Sequence, residues 1–195
     1  MAESKANQGA SGGFAEPSPW VRRFAPLVES GGAVLDVACG SGRHTRLFLG
    51  LGHPVTALDI DLSRLADLAT EPALELITAD LEGGDRWPLE GRRFAAVVVT
   101  NYLWRPLMPL LVAAVAPGGA LIYETFARGN ERYSHPRNPD FLLEPGELIA
   151  AVAGELTIVA YEHGITDLSE EVGGAPLERV TERICAVRKA LARLP

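Results

Sequence analysis

The chain is short of several things, and each shortage removes a class of protein. Only two of its 195 residues are cysteine, Cys39 and Cys185, which excludes a disulfide scaffold; both read as small, reduced packing residues. No group of Cys and His has the spacing of metal ligands, so no metal site is expected. Long apolar runs are missing too. The longest near-apolar stretch, Leu107 to Ala116, is interrupted by Pro109 and is too short to span a bilayer. Positive charge is in deficit, with 18 Lys and Arg against 25 Asp and Glu and a net charge of −7. A duplex-binding protein draws most of its affinity from neutralising phosphates, so a large nucleic-acid partner is disfavoured. Residues 1–13 are small and polar and lack the apolar core of a signal peptide, so they read as a disordered leader. Residues 14–195, within a chain that is 47% hydrophobic, suffice for a single globular domain. The expectation is a soluble cytoplasmic protein that neither spans a membrane nor binds a metal.

What the chain does contain is concentrated in one segment. Val34-Leu35-Asp36-Val37 is an apolar run ending near an aspartate, and Ala38-Cys39-Gly40-Ser41-Gly42 follows it. The run reads as a buried strand and the two glycines as a tight turn that lets a ligand approach the backbone. Asp59 closes a second apolar run, Val55 to Leu58, and an acid at the end of the second strand can grip the two hydroxyls of a ribose. These features point to a nucleoside cofactor. The dinucleotide fingerprint requires a third glycine, which lets helix and strand pack closely. Thr45 stands there instead, which argues against a nicotinamide-dependent oxidoreductase.

Strand and helix patterns alternate along the rest of the chain. Ser18-Pro19 predicts a helix start, with Trp20, Val21, Phe24, Leu27 and Val28 on one face and Pro26 ending or kinking it. Strands are predicted at 33–37, 55–59, 74–78, 94–100, 120–126, 156–161 and 180–187. Helices are predicted at 43–50, 61–69, 106–116 and 145–153. Such alternation implies a parallel sheet with helices on both faces.

The order of motifs resembles that of class I S-adenosylmethionine-dependent methyltransferases over roughly residues 20–190. Motif I is Val34 to Gly42 and the second-strand acid is Asp59. The third-strand acid is Asp80, in Ile77-Thr78-Ala79-Asp80-Leu81. A Pro-Gly-Gly turn enters strand five at Pro117-Gly118-Gly119. Strand four has the family outline but carries Ala95 where an aspartate is usual. Gly42-Arg43 and the overall size resemble the small bacterial tellurite-resistance type. The resemblance implies a Rossmann-like, doubly wound sheet in three α/β/α layers, mostly parallel with the last strand antiparallel. It implies S-adenosyl-L-methionine as cofactor, held by Asp36, Ala38, Gly40, Gly42, Arg43, Asp59, Ile60, Asp80, Leu81 and Asn101. The expected activity is methyl transfer to a small molecule, the alternative being a cofactor-binding sensor or partner subunit without turnover.

The candidate catalytic residues are Tyr102, Tyr133 and His135. Tyr102 follows strand four, where the methyl is expected, in Asn101-Tyr102-Leu103-Trp104. The two prolines of the nucleobase and amide methyltransferase motif are absent there. Tyr133 and His135 lie in the 127–143 segment after strand five, where ligands bind in open α/β sheets. Its Arg128, Arg132 and Arg137 predict a substrate lid with an affinity for anions. Arg43, in the first turn of its helix, sits against the helix field and predicts a nearby anion such as the methionine carboxylate. Arg22 and Arg23 are competitors for that role.

Overall fold

The computed structural model describes residues 15–84, 86–167 and 178–189. The leader expected at 1–13 lies outside them. The elements in chain order are α1 (Pro19–Phe24), β1 (Val34–Val37), α2 (Arg43–Gly50), β2 (Val55–Asp59), β3 (Leu74–Thr78), β4 (Phe94–Thr100), α3 (Met108–Ala113), β5 (Val115–Phe126), α4 (Glu147–Val152), β6 (Thr157–Asp167) and β7 (Glu178–Val187). The segment expected as a helix at 61–69 forms a 3-10 turn at Ser63–Leu68. The seven strands form one sheet in the order β3-β2-β1-β4-β5-β7-β6. All neighbours are parallel except β7, which runs antiparallel to both β5 and β6.

Strand alternation builds the three layers. Leu35, Val37, Val97, Val99 and Leu121 face α3 and α4, where Leu111, Leu148 and Val152 cover them. Val34, Ala96, Val98, Ala120 and Ile122 face the other way, onto Trp20, Val21 and Phe24 of α1 and Phe48 of α2. Neighbouring residues on a strand point to opposite faces, so a sheet buried on both sides needs the continuous apolar runs seen in β1 and β4. Pro26 ends α1 as expected: the chain tightens into a 3-10 turn at Ala25–Leu27.

Three boundaries differ clearly from the sequence expectation. The helix expected at 106–116 is a 3-10 turn at Arg105–Leu107 followed by α3, which stops at Ala113. β5 then begins at Val115 rather than Ala120, because Val115 pairs with Phe94 across a bulge. Gly119 makes this possible, since a Cβ there would lie 2.8 Å from the Phe94 carbonyl oxygen and 2.9 Å from that of Ala95. β6 runs to Asp167 rather than Tyr161, because every residue from Tyr161 to Asp167 has a cross-strand partner on β7. Long-range pairing decides strand length here over the polar, glycine-containing local sequence.

Two buried acids fasten helices to the sheet. Glu182 of β7 is fully buried and accepts the Gly146 amide at 2.8 Å and the Leu148 amide at 2.7 Å, closing the start of α4. Asp36 of β1 is equally buried and accepts the Thr45 hydroxyl of α2 at 2.6 Å. This bond explains the missing third glycine: Thr45 draws α2 onto β1 with its hydroxyl. Burial pushes the Asp36 carboxyl up to about 6, against the lowering effect of its bonds from Thr45 and the charge of Arg43.

Two outcomes follow for stability. Replacing Glu182 with alanine strands two helix amides and is expected to cost roughly 2–4 kcal/mol in urea unfolding; a loss under about 0.5 kcal/mol would show that water caps the helix as well. For Asp36 the folded value lies above the unfolded one, so its contribution is complete below about pH 4 and is lost as pH rises through 6. Asp36→Asn should therefore gain on the wild-type protein across that window, by up to roughly 3 kcal/mol at about 1.4 kcal/mol per unit. Parallel stability curves for the two proteins from pH 4 to 7 would contradict this.

Candidate active site

The carboxyl ends of β1, β2, β3 and β4 converge on one edge of the sheet. After β1 the backbone turns left-handed at Ala38 (φ 51°), Gly40 (φ 56°) and Gly42 (φ 73°). Glycine adopts this conformation freely, whereas alanine pays roughly 1 kcal/mol for it. Asn101, just past β4, is left-handed as well (φ 55°), so two non-glycine residues in this conformation flank one site. Gly42 is further restricted, since a Cβ would come within 2.1 Å of Leu65 Cδ2.

Asp59 ties the edge together. Its Oδ2 accepts the Gly40 amide at 2.8 Å and its Oδ1 accepts the Asp61 amide at 3.0 Å. An ionised carboxylate offers about four acceptor positions, so two amides leave roughly half its capacity. Asp59 has no ion-pair partner among the described residues. It lines a cleft of about 580 Å³ together with Ala38, Ile60, residues 79–83 and Tyr102. Ile60 is 62% exposed, an apolar face left open beside a carboxylate. On the third strand's end, Asp80 Oδ1 accepts the Glu82 and Gly83 amides at 3.1 and 2.7 Å, folding that turn into the cleft wall. Leu81 is half-buried and packs on the core. The Tyr123 hydroxyl donates to the Tyr102 carbonyl at 2.9 Å and fixes the opposite wall. Burial, reinforced by the negative charge of Glu82, pushes the Tyr102 phenol well above its ordinary value. Tyr102 therefore stays protonated at neutral pH and offers a donor and a ring, not a base.

A second cluster lies at the ends of β4 and β5. Arg43 donates to the Glu16 carbonyl at 3.3 Å and, at the limit of a hydrogen bond, to the Thr100 hydroxyl at 3.5 Å. It has no carboxylate partner among the described residues. His44 is buried and accepts the Ser18 amide at Nε2, 3.1 Å away, while its Nδ1 faces the Thr100 hydroxyl at 3.4 Å. Burial and the neighbouring Arg43 lower His44 to about 3, so the ring is neutral. The competitors for the anion role are engaged elsewhere. Arg22 pairs with Glu16, and Arg23 pairs with Glu162 at 3.2 Å while stacking over Phe24.

Of the predicted cofactor residues, Ala38, Asp59, Ile60, Asp80 and Leu81 line one cleft. Gly40 and Gly42 shape the turn beside it. Asn101 ends the neighbouring strand and Arg43 looks toward that end. Asp36 lies beneath the turn at 1% exposure, where it bonds Thr45. Tyr133 and His135 are exposed on the 127–143 segment, and neither lines the cleft. That segment is built around Asn130, which is fully buried. Its Nδ2 donates to the Ser134 and Pro136 carbonyls, and its Oδ1 accepts the Val180 amide at 3.1 Å. Arg105 holds the far end through the Asp140 and Leu142 carbonyls. Within the segment Arg128 pairs with Glu144 at 2.7 Å, while Arg132 and Arg137 are exposed. Sequence reasoning missed Glu82 in the cleft wall and Glu124 beside Thr100. The signal for Glu124 was present, as a lone acid at the end of the buried run Leu121-Ile122-Tyr123. Cys39 and Cys185 are free and buried, and no metal-binding cluster occurs among the described residues. No helix among them is long and apolar enough to cross a membrane.

Comparison with known proteins fits this geometry. Residues 34–119 match the Methyltransferase domain family, a span that holds the glycine turn, Asp59, Asp80 and Tyr102. Over 105 residues the chain is 35% identical to the malonyl-[acyl-carrier protein] O-methyltransferase of Pseudescherichia vulneris, taking in 50% of this chain and 40% of that protein. TehB from Haemophilus influenzae superposes with a TM-score of 0.64 at 19% identity, over 85% of this chain and 60% of that one. The glycopeptide N-methyltransferase MtfA complexed with S-adenosyl-L-homocysteine superposes with a TM-score of 0.57 at 22% identity, over 90% and 91% of the two chains. The chain thus spans 40% of the curated relative and 60% of TehB. The domain match at residues 34–119, the strand order and the motif placement support a class I S-adenosylmethionine-dependent methyltransferase, which the chain resembles in core domain and fold.

Proposed function

We propose that this protein transfers a methyl group from S-adenosyl-L-methionine to a small-molecule acceptor in the cytoplasm. The observation that carries the reading is the Asp59 carboxylate, spending part of its acceptor capacity on the Gly40 amide while lining the 580 Å³ cleft. Its remaining acceptor positions suit the two hydroxyls of a ribose, and the cleft is of ligand-site size. Ile60 and Leu81 supply apolar contact for an adenine, with Asp80 at its edge. Gly40 and Gly42 bring the backbone close to the ligand, and Ala38 and Asn101 border it. Arg43, without a carboxylate of its own, suits the methionine carboxylate. Asp36 acts at one remove, by holding α2 and hence Arg43 in place through Thr45.

The cofactor supplies a methyl on a positively charged sulfur, already activated toward nucleophiles. When bound, it would pass that methyl carbon to an acceptor lone pair, with the carbon–sulfur electron pair left on sulfur and the acceptor's proton lost to a base or to water. The residues here contribute alignment and exclusion of water, the larger part of catalysis when the leaving group is neutral. The acidic chain, net −7, favours a small acceptor over a nucleic acid. The free, buried thiols of Cys39 and Cys185 require no oxidising compartment. A second reading rests on the 35% identity to a malonyl-[acyl-carrier protein] O-methyltransferase, and in it the small acceptor arrives on a carrier protein.

Calorimetry should show S-adenosyl-L-homocysteine binding and no NAD binding. Asp59→Ala should weaken that binding by roughly 10- to 150-fold, the equivalent of one hydrogen bond to a charged group. Tight NAD binding, or an Asp59→Ala protein that is folded and unchanged in affinity, would defeat the reading. A screen with labelled methyl donor separates the acceptors: incorporation into small metabolites supports the proposal, incorporation only into an acyl-carrier protein supports the second reading, and binding without any turnover indicates a sensor.

A further inference from the structure

The hydroxyl of Thr100, at the carboxyl end of β4, meets two side chains from the start of α2. His44 Nδ1 lies 3.4 Å from its oxygen and an Arg43 Nη lies 3.5 Å away. What the histidine does there is fixed from the far side of its ring. His44 Nε2 is 3.1 Å from the Ser18 backbone amide, and a backbone N–H can only donate. Nε2 is therefore the nitrogen without a proton. The ring is buried and neutral, so its single proton sits on Nδ1, facing Thr100.

Both neighbours of the Thr100 hydroxyl are thus donors. Arg43 has N–H groups and no acceptor, and His44 presents Nδ1–H. Each sits against a lone pair of the oxygen, so the hydroxyl hydrogen turns away from both. Among the described residues it meets no acceptor. Glu124 is the register neighbour of Thr100 on β5, but its carboxylate accepts the Ser18 hydroxyl at 2.9 Å and an Arg183 N–H at 3.3 Å instead.

Thr100 stands at the ligand end of the sheet. Val37 pairs with Val99, so Ala38 and Thr100 leave adjacent strands side by side, and Ala38 lines the cleft that holds Asp59. From the end of β2 across β1 to the end of β4 is two strand spacings, about 10 Å. An extended homocysteine arm running from its ribose covers a span of that order.

We propose that the Thr100 hydroxyl is a second donor to the carboxylate of the bound cofactor, beside Arg43, and that His44 is the positioning residue that aims it. The inference rests on the reading that gives the ribose to Asp59 and the carboxylate to Arg43. A guanidinium and a hydroxyl hydrogen set side by side suit an anion with two oxygens. The Ser18 amide acts at one further remove, by choosing which ring nitrogen of His44 carries the proton. The start of α1 thereby bears on how the cofactor's amino-acid arm is held.

Calorimetry on the full chain tests this with two ligands, S-adenosyl-L-homocysteine and 5′-methylthioadenosine, which keeps the nucleoside and the sulfur but has no carboxylate. Thr100→Val should weaken S-adenosyl-L-homocysteine by about 10- to 100-fold, as losing a hydrogen bond to a charged group does. It should leave 5′-methylthioadenosine within about twofold, and Thr100→Ser should restore most of the loss. His44→Phe should show the same selectivity, several-fold in size. Nitrogen NMR of the wild-type ring provides a measurement that needs no variant: the proton should be on Nδ1, and a proton on Nε2 would overturn the inference. Equal weakening of both ligands by Thr100→Val would reduce Thr100 to a packing residue and overturn it as well. Arg43→Gln separates the two levels of the argument. A loss selective for S-adenosyl-L-homocysteine in Arg43→Gln but not in Thr100→Val overturns the role of Thr100 and leaves the carboxylate with Arg43. No selectivity in either variant overturns both.

Discussion

The hydrogen bond from the Gly40 amide to the Asp59 carboxylate is the joint on which the functional edge of this protein depends. It connects the turn after β1 to the end of β2, two segments whose strands are paired only as far as Val37 and Leu58. The Cys39 amide reaches the Leu58 carbonyl at 3.2 Å just before it, and the Gly40 bond carries that link on to the tip of the glycine turn, beside the cleft. The same carboxylate also takes the Asp61 amide, so one side chain sets the exits of two strands. The geometry is expensive in a small way: Ala38 holds a left-handed backbone that alanine disfavours. Strain of this kind persists where the surroundings over-determine it, as they do at binding sites.

Behind this joint stands a second layer of buried polar contacts. Asp36 and Thr45 lock α2 against β1, and Ser18, His44 and Thr100 tie the start of α1 to α2 and the end of β4. Arg43 is carried on the first turn of a helix held from two sides. Its guanidinium thus faces the end of β4 with few alternatives, and preorganisation of this sort determines whether a bound ligand is held in reactive geometry.

The sheet was largely legible in the sequence because its determinants are local. β2, β3 and β4 have the bounds the sequence predicts, Val55–Asp59, Leu74–Thr78 and Phe94–Thr100; Pro54 before β2 and Asn101 after β4 are turn residues that break their runs. The errors fall where pairing at long range overrides local pattern. β5 starts early because Phe94 reaches Val115, and β6 runs on because β7 lies beside it. Part of the candidate cleft was legible as well, because Gly40, Gly42, Asp59 and Asp80 stand where the apolar runs break at strand ends. The contacts around Thr100 were not. Ser18, His44 and Thr100 belong to three separate elements, and only the fold brings them together.

The central claim is that Asp59 holds a ribose, and a double-mutant cycle measures this most directly. S-adenosyl-L-homocysteine and its 2′-deoxy or 3′-deoxy sugar analogue are titrated into the wild-type protein and into Asp59→Ala. The account predicts that removing a sugar hydroxyl weakens binding to the wild-type protein but hardly at all to the variant, with a coupling of about 1.5–3 kcal/mol for at least one hydroxyl. Additive losses, with both sugar analogues weakened equally in the two proteins, would show that Asp59 only braces the turn and that the nucleoside is held elsewhere.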